Sequence, residues 1–143
     1  MDILSMVDTA GHSIFSWNSS SGSWTRLART DKISPLSAFF VYSPDMVQVP
    51  VRISGQGPLY NLSRELDAGW NLVSFADVMM VSADEAFRSI EGLWSYIIGY
   101  DAEKQRYAVP VTNGAYSRDA LLDPRQGYWI FMNGTARMVG KQL

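Results

Sequence analysis

The feature that most constrains how this chain folds is an internal repeat. When the 143-residue sequence is compared with itself at a shift of 83 residues, Ile14-Phe-Ser-Trp-Asn18 falls on Ile97-Ile-Gly-Tyr-Asp101. At the same shift, Trp24 falls on Tyr107. Two segments that share the order of their apolar, aromatic and turn-forming residues predict two copies of one structural unit.

A second block of similarity supports the repeat at a shift of 89 residues. Here Ile33-Ser-Pro35 falls on Leu122-Asp-Pro124, and Phe39-Phe-Val-Tyr42 falls on Tyr128-Trp-Ile-Phe131. The six-residue difference between the two shifts requires only one longer loop, in Val111–Tyr116. Because both blocks occur in the same order, we expect each segment to occupy the same strand position as its counterpart.

Each copy has the pattern of short strands separated by turns. The apolar and aromatic runs are bounded by Gly, Pro, Asn and Asp, which is typical of β-strands and the turns between them. Asn133-Gly134 is the dipeptide most typical of a β-hairpin, so the strands on either side of it are expected to pair. The predicted strands are Ile14 to Trp17, Trp24 to Leu27, Ala38 to Ser43 and Val47 to Ile53 in copy one, and Tyr96 to Tyr100, Arg106 to Val111, Gly127 to Met132 and Ala136 to Val139 in copy two.

Copy two begins with a further strand that copy one lacks. Residues Gly69–Phe75 alternate, with Trp70 and Leu72 on one face and Val73 and Phe75 on the other. No counterpart of this strand precedes copy one. We therefore expect the open edge of copy one to be covered, and a strand lent by copy two is the favoured arrangement. The segment at 58–62 and a neighbouring molecule are the two alternatives.

A short helix is predicted after this strand, over Ser82–Ile90. Ser82 is placed to cap the helix and Glu85 follows three residues later, as in a capping box. The buried stripe is expected to consist of Ala86, Phe87 and Ile90. The equivalent stretch of copy one, with Ile3, Leu4 and Val7, is expected to form a less regular helix.

These patterns together predict an α+β fold that is mainly antiparallel β. It consists of two pseudo-symmetric repeat units, each a small curled sheet with one short helix. Unit one spans residues 1–57 and lacks its first strand, and unit two spans residues 58–143 and is complete. The two units are expected to form one intertwined domain.

Composition excludes several classes of function. The hydrophobic content of 47% and the charged content of 18% are typical of a folded chain. The net charge of −2, without a cluster of Lys or Arg, argues against nucleic acid as a partner. The apolar runs are too short to cross a bilayer, so no direct membrane insertion is expected. The sequence has no cysteine, which removes disulfides and thiol catalysis.

The motifs of copy two resemble those of a known repeat. Gly69-Trp-Asn-Leu-Val-Ser74 is followed by a helix, by Tyr100-Asp101, by a proline and by Gly127-Tyr-Trp-Ile130. This order is similar to a repeat unit of large exported bacterial and archaeal surface proteins.

The resemblance covers residues 66–140 well and residues 1–53 more weakly, because Ala38-Phe-Phe-Val41 replaces the Gly-Tyr-Trp-Ile motif in copy one. It implies a structural unit without enzymatic activity, so no catalytic residue carries over. The implied function is that of a non-catalytic structural or adhesive module in a larger extracytoplasmic surface protein. The implied location is extracellular or at the cell surface, with neighbouring domains of the parent protein, another protein or a glycan as partners.

No catalytic residue, metal site or cofactor is predicted. His12 is the only histidine and lies in a turn-like stretch without an orienting partner. Three pairs of carboxylates have the residue types of glycosidase acids and bases, but helix-terminus or turn chemistry accounts for each of them. These pairs are Asp84 and Glu85, Asp101 and Glu103, and Asp119 and Asp123.

The aromatic residues allow an alternative function. With 13% aromatics, most rings are expected in the core, including Trp70, Trp129 and Phe131. Trp24 and Tyr107 are repeat-related and follow hairpin loops, so they are the candidate platforms of a carbohydrate-binding module. If these two rings are exposed and coplanar, carbohydrate binding is favoured, whereas burial favours a scaffold.

Three asparagines lie in glycosylation sequons and in predicted turns. They are Asn18, Asn61 and Asn133. Their positions mildly favour an exported protein. The start of the chain lacks the pattern of a signal peptide, so a signal is expected upstream.

Overall fold

In the computed structural model, the described residues are 7–28, 30–45, 62–114 and 116–141. They form a mainly antiparallel β structure with very little helix. The elements are β1 (Ile14–Asn18), β2 (Ser23–Leu27), β3 (Ser63–Leu66), β4 (Gly69–Val73), β5 (Val81–Ser82), α1 (Ala83–Ala86), a 3₁₀ turn (Arg88–Ile90), β6 (Trp94–Asp101), β7 (Arg106–Tyr107), β8 (Val111–Thr112), β9 (Leu121–Leu122), β10 (Tyr128–Met132) and β11 (Ala136–Val139).

The largest sheet is built around β10. Its strand order is β4-β10-β6-β7, and β8 also pairs with β6. β10 contains only aromatic and large apolar residues, because both of its faces are covered. Tyr128, Ile130 and Met132 face inward and are buried, whereas Trp129 and Phe131 face outward and are half-buried.

The inner face packs against the helical segment. Ser82 caps α1, and its hydroxyl accepts a hydrogen bond from the Glu85 amide at 3.2 Å, as predicted. Phe87 and Ile90 are 0% and 1% exposed, while Ala86 is half-buried. The α-helix ends at Ala86, before the predicted Ile90, and the chain continues as the 3₁₀ turn. This difference is a tightening of the last turn, which is common at helix ends.

The outer face is covered by the β1–β2 hairpin, which forms where it was predicted. Trp17 pairs with Trp24 across this hairpin. Phe15 exchanges two backbone hydrogen bonds with Phe40, at 3.1 and 2.8 Å. The hairpin is thereby joined to the segment that contains Phe40.

This segment is also bonded to β4. Val73 pairs with Tyr128 on one edge of β4, and the next amide, that of Ser74, donates to the Leu36 carbonyl at 2.9 Å. Arg64 reinforces the junction, because its Nη1 donates to the carbonyls of Leu36 and Leu72 at 3.2 and 2.6 Å. Burial lowers the pKa of Arg64, and the nearby charge of Asp67 opposes this shift.

The close packing at this junction depends on a glycine. A Cβ added to Gly127 would lie 2.6 Å from the Cβ of Ala38. Methyl carbons do not approach so closely without displacement of one of them. The absence of a side chain at Gly127 therefore allows the two segments to meet.

The predicted pairing across Asn133-Gly134 is wrong. β11 pairs with β3 instead of β10, and neither Asn133 nor Gly134 has the positive φ that a type I′ hairpin turn requires. The Asn133 amide donates to the Leu93 carbonyl at 2.9 Å, and its Oδ1 accepts from the Ser95 hydroxyl at 2.5 Å. These bonds hold the turn against the start of β6 and direct β11 away from β10.

The predicted strand Ala38 to Ser43 is reduced to one bridge at Phe40, and a further bridge precedes it at Ser37. It lacks the two continuous neighbours that β10 has, so a regular ladder does not extend along it. The strand predicted to end at Phe75 ends at Val73. After Val73 the backbone no longer pairs with β10, and the Ser74 amide donates to the Leu36 carbonyl instead.

The strand predicted over Arg106 to Val111 is divided into β7 and β8, with Pro110 between them. Proline has no amide hydrogen to donate to the ladder. The predicted strand Val47 to Ile53 and the predicted helix residues Ile3 and Leu4 lie outside the described residues.

Candidate functional site

Aromatic side chains concentrate on the outer face of the largest sheet. Residues directly opposite one another in a sheet share a face. Phe131 lies opposite Trp70, and Trp129 lies opposite both Leu72 and Ile98. The alternation of β4, β6 and β10 therefore places rings from β4 and β10 side by side.

The hairpin above this face adds its own rings. Trp17 and Trp24 pack against each other with ring centroids 5.4 Å apart, and they lie 5.3 and 5.6 Å from the Trp129 ring. Phe40 links Trp24 to Tyr100, at 5.5 and 5.4 Å. Most of these pairs are nearly perpendicular, the edge-to-face arrangement that aromatic quadrupoles favour.

A cleft remains open within this set of rings. It has a volume of about 240 Å³ and is lined by Trp17, Trp70, Ile98, Tyr107 and Trp129. We call it the aromatic cleft. Its residues come from β1, β4, β6, β7 and β10, so both halves of the chain contribute to it. All five side chains are uncharged, and the lining is almost entirely apolar.

Two of the three indole N–H groups of the aromatic cleft, those of Trp17 and Trp129, are withdrawn from its opening. The Trp17 N–H donates to the Trp70 carbonyl at 2.9 Å. The Trp129 N–H is buried and has no hydrogen-bond partner among the described residues. Trp129 has perpendicular rings on several sides, and an aromatic face is a weak acceptor for such a donor.

The structure places the two predicted platform residues in one aromatic network. Trp24 is 47% exposed and Tyr107 is 56% exposed. Tyr107 lines the aromatic cleft, whereas Trp24 packs beside it against Trp17 and Trp129. Both rings are therefore exposed, which is one of the two conditions set for the carbohydrate alternative, the other being that they are coplanar.

Other lining residues were not predicted from the sequence. Trp70 was expected to be largely buried and is 37% exposed, because it lies on the edge strand β4 and packs against Phe131 and Trp129 on one side only. The alternation of β4 and β10 contained the signal, since it placed Trp70 and Trp129 on the face away from the helix. Trp17 joins them only through tertiary packing.

A second, more polar groove lies along the opposite end of β6. Its volume is about 360 Å³, and its lining includes Ser95, Tyr96, Thr112 and Asn113. The Tyr96 ring is 45% exposed. This tyrosine provides a matched comparison for Tyr107, because both are exposed rings on paired strands but only Tyr107 lines the aromatic cleft.

A buried amide supports the strand that carries Trp70. Asn71 is 0% exposed, and its side chain accepts from the Asp67 amide and donates to the carbonyls of Asp67 and Gly69. These bonds satisfy the tight turn between β3 and β4. The Asn of the Gly-Trp-Asn-Leu motif therefore has a structural role.

Four of the six carboxylates considered as catalytic candidates, Asp84, Glu85, Asp101 and Asp123, form ion pairs with basic side chains at the surface. Hydrogen bonds from the Lys104 amide and ammonium lower the pKa of Asp101, and hydrogen bonds from the Arg125 guanidinium and amide lower the pKa of Asp123. A general acid requires the opposite shift. Asp84 lies 3.6 Å from Arg118.

The remaining candidate residues lie at the surface or outside the residues that the structure describes. His12 is exposed, with its ring 4.2 Å from that of Tyr42. Within the described residues, no group of three or more His, Asp or Glu side chains is close enough to hold a metal ion. Asn18 and Asn133 are exposed, and Asn61 lies outside the described residues.

Comparisons with known proteins yield no relative. A scan against protein-family models finds no matching family, and searches of curated proteins and of solved structures find no significant match. Across the part of the chain that the structure describes, none of the helices has the length and apolar character needed to span a bilayer.

Proposed function

We propose that this chain is a non-catalytic structural or adhesive module of a larger extracytoplasmic surface protein. The observation that carries the proposal is the aromatic cleft, an apolar surface that stays open to solvent at the centre of a dense ring network. Rigid aromatic rings around an accessible pocket are typical of the anchoring points of protein interfaces.

We further propose that the module consists of two pseudo-symmetric repeats, 1–57 and 58–143. Strand registers support this interpretation. Trp17 pairs with Trp24 in copy one, and Tyr100 pairs with Tyr107 in copy two. The bridge between Phe15 and Phe40 likewise corresponds to the pairing of Ile98 with Trp129. Both correspondences follow the two shifts found in the sequence.

Packing between the two proposed repeats supports one intertwined domain. Ala38 and Gly127 are equivalent at the shift of 89 residues, and they are in close contact. Equivalent residues that meet are expected near a pseudo-twofold axis. Copy one also receives the Ser74 amide and the Arg64 guanidinium at Leu36, and these bonds support the interpretation that copy two covers part of its open edge.

A carbohydrate-binding module is the second candidate. It is favoured by the exposure of Trp24 and Tyr107 at 47% and 56%, because exposed rings are platforms on which sugar rings stack. In this interpretation the two rings offer separate stacking positions, because the rings of Phe40 and Tyr100 lie between them in the aromatic network.

Two experiments test the proposed function. Brief protease treatment of intact cells of the source organism is expected to release peptides of this chain; recovery only after lysis contradicts the surface location. Beads coated with the protein are then applied to the same cells. Tyr107→Ala is expected to reduce bead adhesion, whereas the matched variant Tyr96→Ala is expected to leave it unchanged.

The carbohydrate candidate has its own assay. Insoluble cellulose, chitin and starch are incubated with the protein, and the bound fraction is measured. Binding that is lost in both Trp24→Ala and Tyr107→Ala supports the second candidate. Equal retention of all variants in the supernatant contradicts it.

A further inference from the structure

We propose that the aromatic cleft binds a quaternary ammonium group, the trimethylated cation found in choline and in trimethyl-lysine. This inference rests on the proposed function, because it specifies the ligand of the same surface. It is drawn from three features of the aromatic cleft: its ring geometry, its hydrogen-bonding capacity, and its size and charge.

The tryptophan rings that line the aromatic cleft stand at steep angles to one another. Trp17 and Trp129 are inclined at 74°, and Trp70 and Trp129 are inclined at 87°. Tyr107 lines the cleft from β7. Rings at right angles place π-electron density on several sides of one space, and this density attracts a cation through the ring quadrupoles.

The lining offers few hydrogen bonds. The Trp17 N–H is already bonded to the Trp70 carbonyl, and the Trp129 N–H is buried. Tyr107 alone carries a side-chain hydroxyl on the lining. Sugar hydroxyls and primary ammonium groups would replace few of their hydrogen bonds to water, because the Trp70 N–H and the Tyr107 hydroxyl are the remaining side-chain polar groups of the lining. A quaternary ammonium has no N–H to satisfy, so its transfer into this cleft avoids that cost.

Size and charge agree with this ligand. A volume of about 240 Å³ is below the roughly 300–1,000 Å³ typical of pockets for drug-sized ligands. A single compact group fits better than an extended one. The five lining side chains are uncharged and the chain carries a net charge of −2, so no cationic side chain on the lining repels the ligand.

The decisive experiment compares a cation with its neutral isostere. Choline chloride and 3,3-dimethylbutan-1-ol have the same shape, but only choline is charged. Isothermal titration calorimetry on the full chain is expected to show about 30-fold tighter binding of choline, which corresponds to about 2 kcal/mol of cation–π attraction. Equal affinities would overturn the proposal and identify a purely apolar site.

Variants test whether the rings are responsible. Tyr107→Phe keeps the ring and is expected to retain choline binding, whereas Tyr107→Ala is expected to weaken it by about tenfold. Tyr96→Ala should bind choline as the wild type does. Because Tyr107 is 56% exposed, its removal leaves the core intact, and urea denaturation of each variant checks this. Loss of choline binding in Tyr107→Phe would show that the Tyr107 hydroxyl recognises the ligand, and it would overturn the proposal of recognition by aromatic rings.

Further measurements identify the molecule that presents the cation, and they distinguish a failure of this inference from a failure of the proposed function. Titration with phosphocholine and with a trimethyl-lysine peptide identifies which molecule presents the cation. Binding of cellobiose but not choline overturns this inference and supports the carbohydrate candidate. If choline does not bind while bead adhesion still depends on Tyr107, the ligand assignment fails and the proposed function stands. If adhesion is also insensitive to Tyr107, both fail.

Discussion

Substitution of Gly127 by alanine tests the contact that joins the two halves of the chain. The new Cβ would lie 2.6 Å from the Ala38 Cβ, whereas carbon atoms in favourable contact are about 3.5–4.0 Å apart. The overlap is therefore about 1 Å. Ala38 has a short side chain that cannot rotate away, so the backbone of one segment has to move.

The expected magnitude follows from two opposing effects. Overpacking of a closely packed site costs about 1–3 kcal/mol. Replacement of glycine by alanine at an ordinary φ returns about 0.4–1 kcal/mol by restricting the unfolded chain, and Gly127 does not have a positive φ. The net loss of unfolding free energy is about 1–2 kcal/mol.

Urea denaturation followed by tryptophan fluorescence measures this loss. The matched control is Gly134→Ala, because Gly134 has an ordinary φ and nothing within 4 Å of an added Cβ. The control is expected to be neutral or more stable by about 0.4–1 kcal/mol.

A double mutant distinguishes the contact from a general effect. Ala38→Gly combined with Gly127→Ala transfers the methyl group across the interface, so most of the lost stability should return. The coupling energy is expected to be about 1–2 kcal/mol, within the range for residues in contact. If Gly127→Ala is as stable as the control, or if the second substitution does not rescue it, the packing of copy one against β10 is refuted.

Three further predictions concern the junction, the acid range and the ring network. Arg64→Met removes the hydrogen bonds to the Leu36 and Leu72 carbonyls. Because charged hydrogen bonds contribute about 1.5–3 kcal/mol, urea denaturation is expected to show a loss of unfolding free energy of about 2–4 kcal/mol. A loss below about 0.5 kcal/mol would contradict the bridging role of Arg64. The pKa of Asp77 is lowered, chiefly by the hydrogen bond from the Val78 amide and then by that from Lys141. Its stabilising effect is therefore present above the unfolded pKa of about 3.9 and is lost as the pH falls through that value toward the lower folded pKa. Asp77→Asn should reduce the fall in Tm between about pH 6 and about pH 3, and an unchanged fall would count against this assignment. Trp129→Ala is expected to lower the unfolding free energy by about 3–5 kcal/mol, and a loss below about 1 kcal/mol would show that the ring behaves as a surface residue.

The residues chosen for the carbohydrate alternative show which part of the candidate site could be predicted from the sequence. Trp24 and Tyr107 were selected because they follow hairpin loops, and both are exposed, which is one of the two conditions of that alternative. Trp17 was not selected, since nothing in its local sequence shows that it would pack against a strand more than one hundred residues later. A site assembled from five strands is visible in the sequence only as separate pieces.

Local patterns determined the elements that depend on neighbouring residues. The hairpin over β1 and β2, the strand β10 and the cap at Ser82 were predicted because turn chemistry, alternation and capping act over a few residues. The two faces of β4 also followed from its alternation. These features need no knowledge of the rest of the chain.

Tertiary structure decided which strands that are distant in the sequence became partners. Asn133-Gly134 has the local signal of a hairpin, yet β11 pairs with β3, because the turn is held against the start of β6. The segment that contains Phe40 has the composition of a full strand, yet it forms only bridges. Pairing depends on which backbone edges remain free when distant segments meet, and the entropy of closing a long loop depends only weakly on its length. For that reason favourable contacts elsewhere in the fold can outweigh the entropic advantage of an adjacent partner, and the sequence of a strand does not reveal which of them it joins.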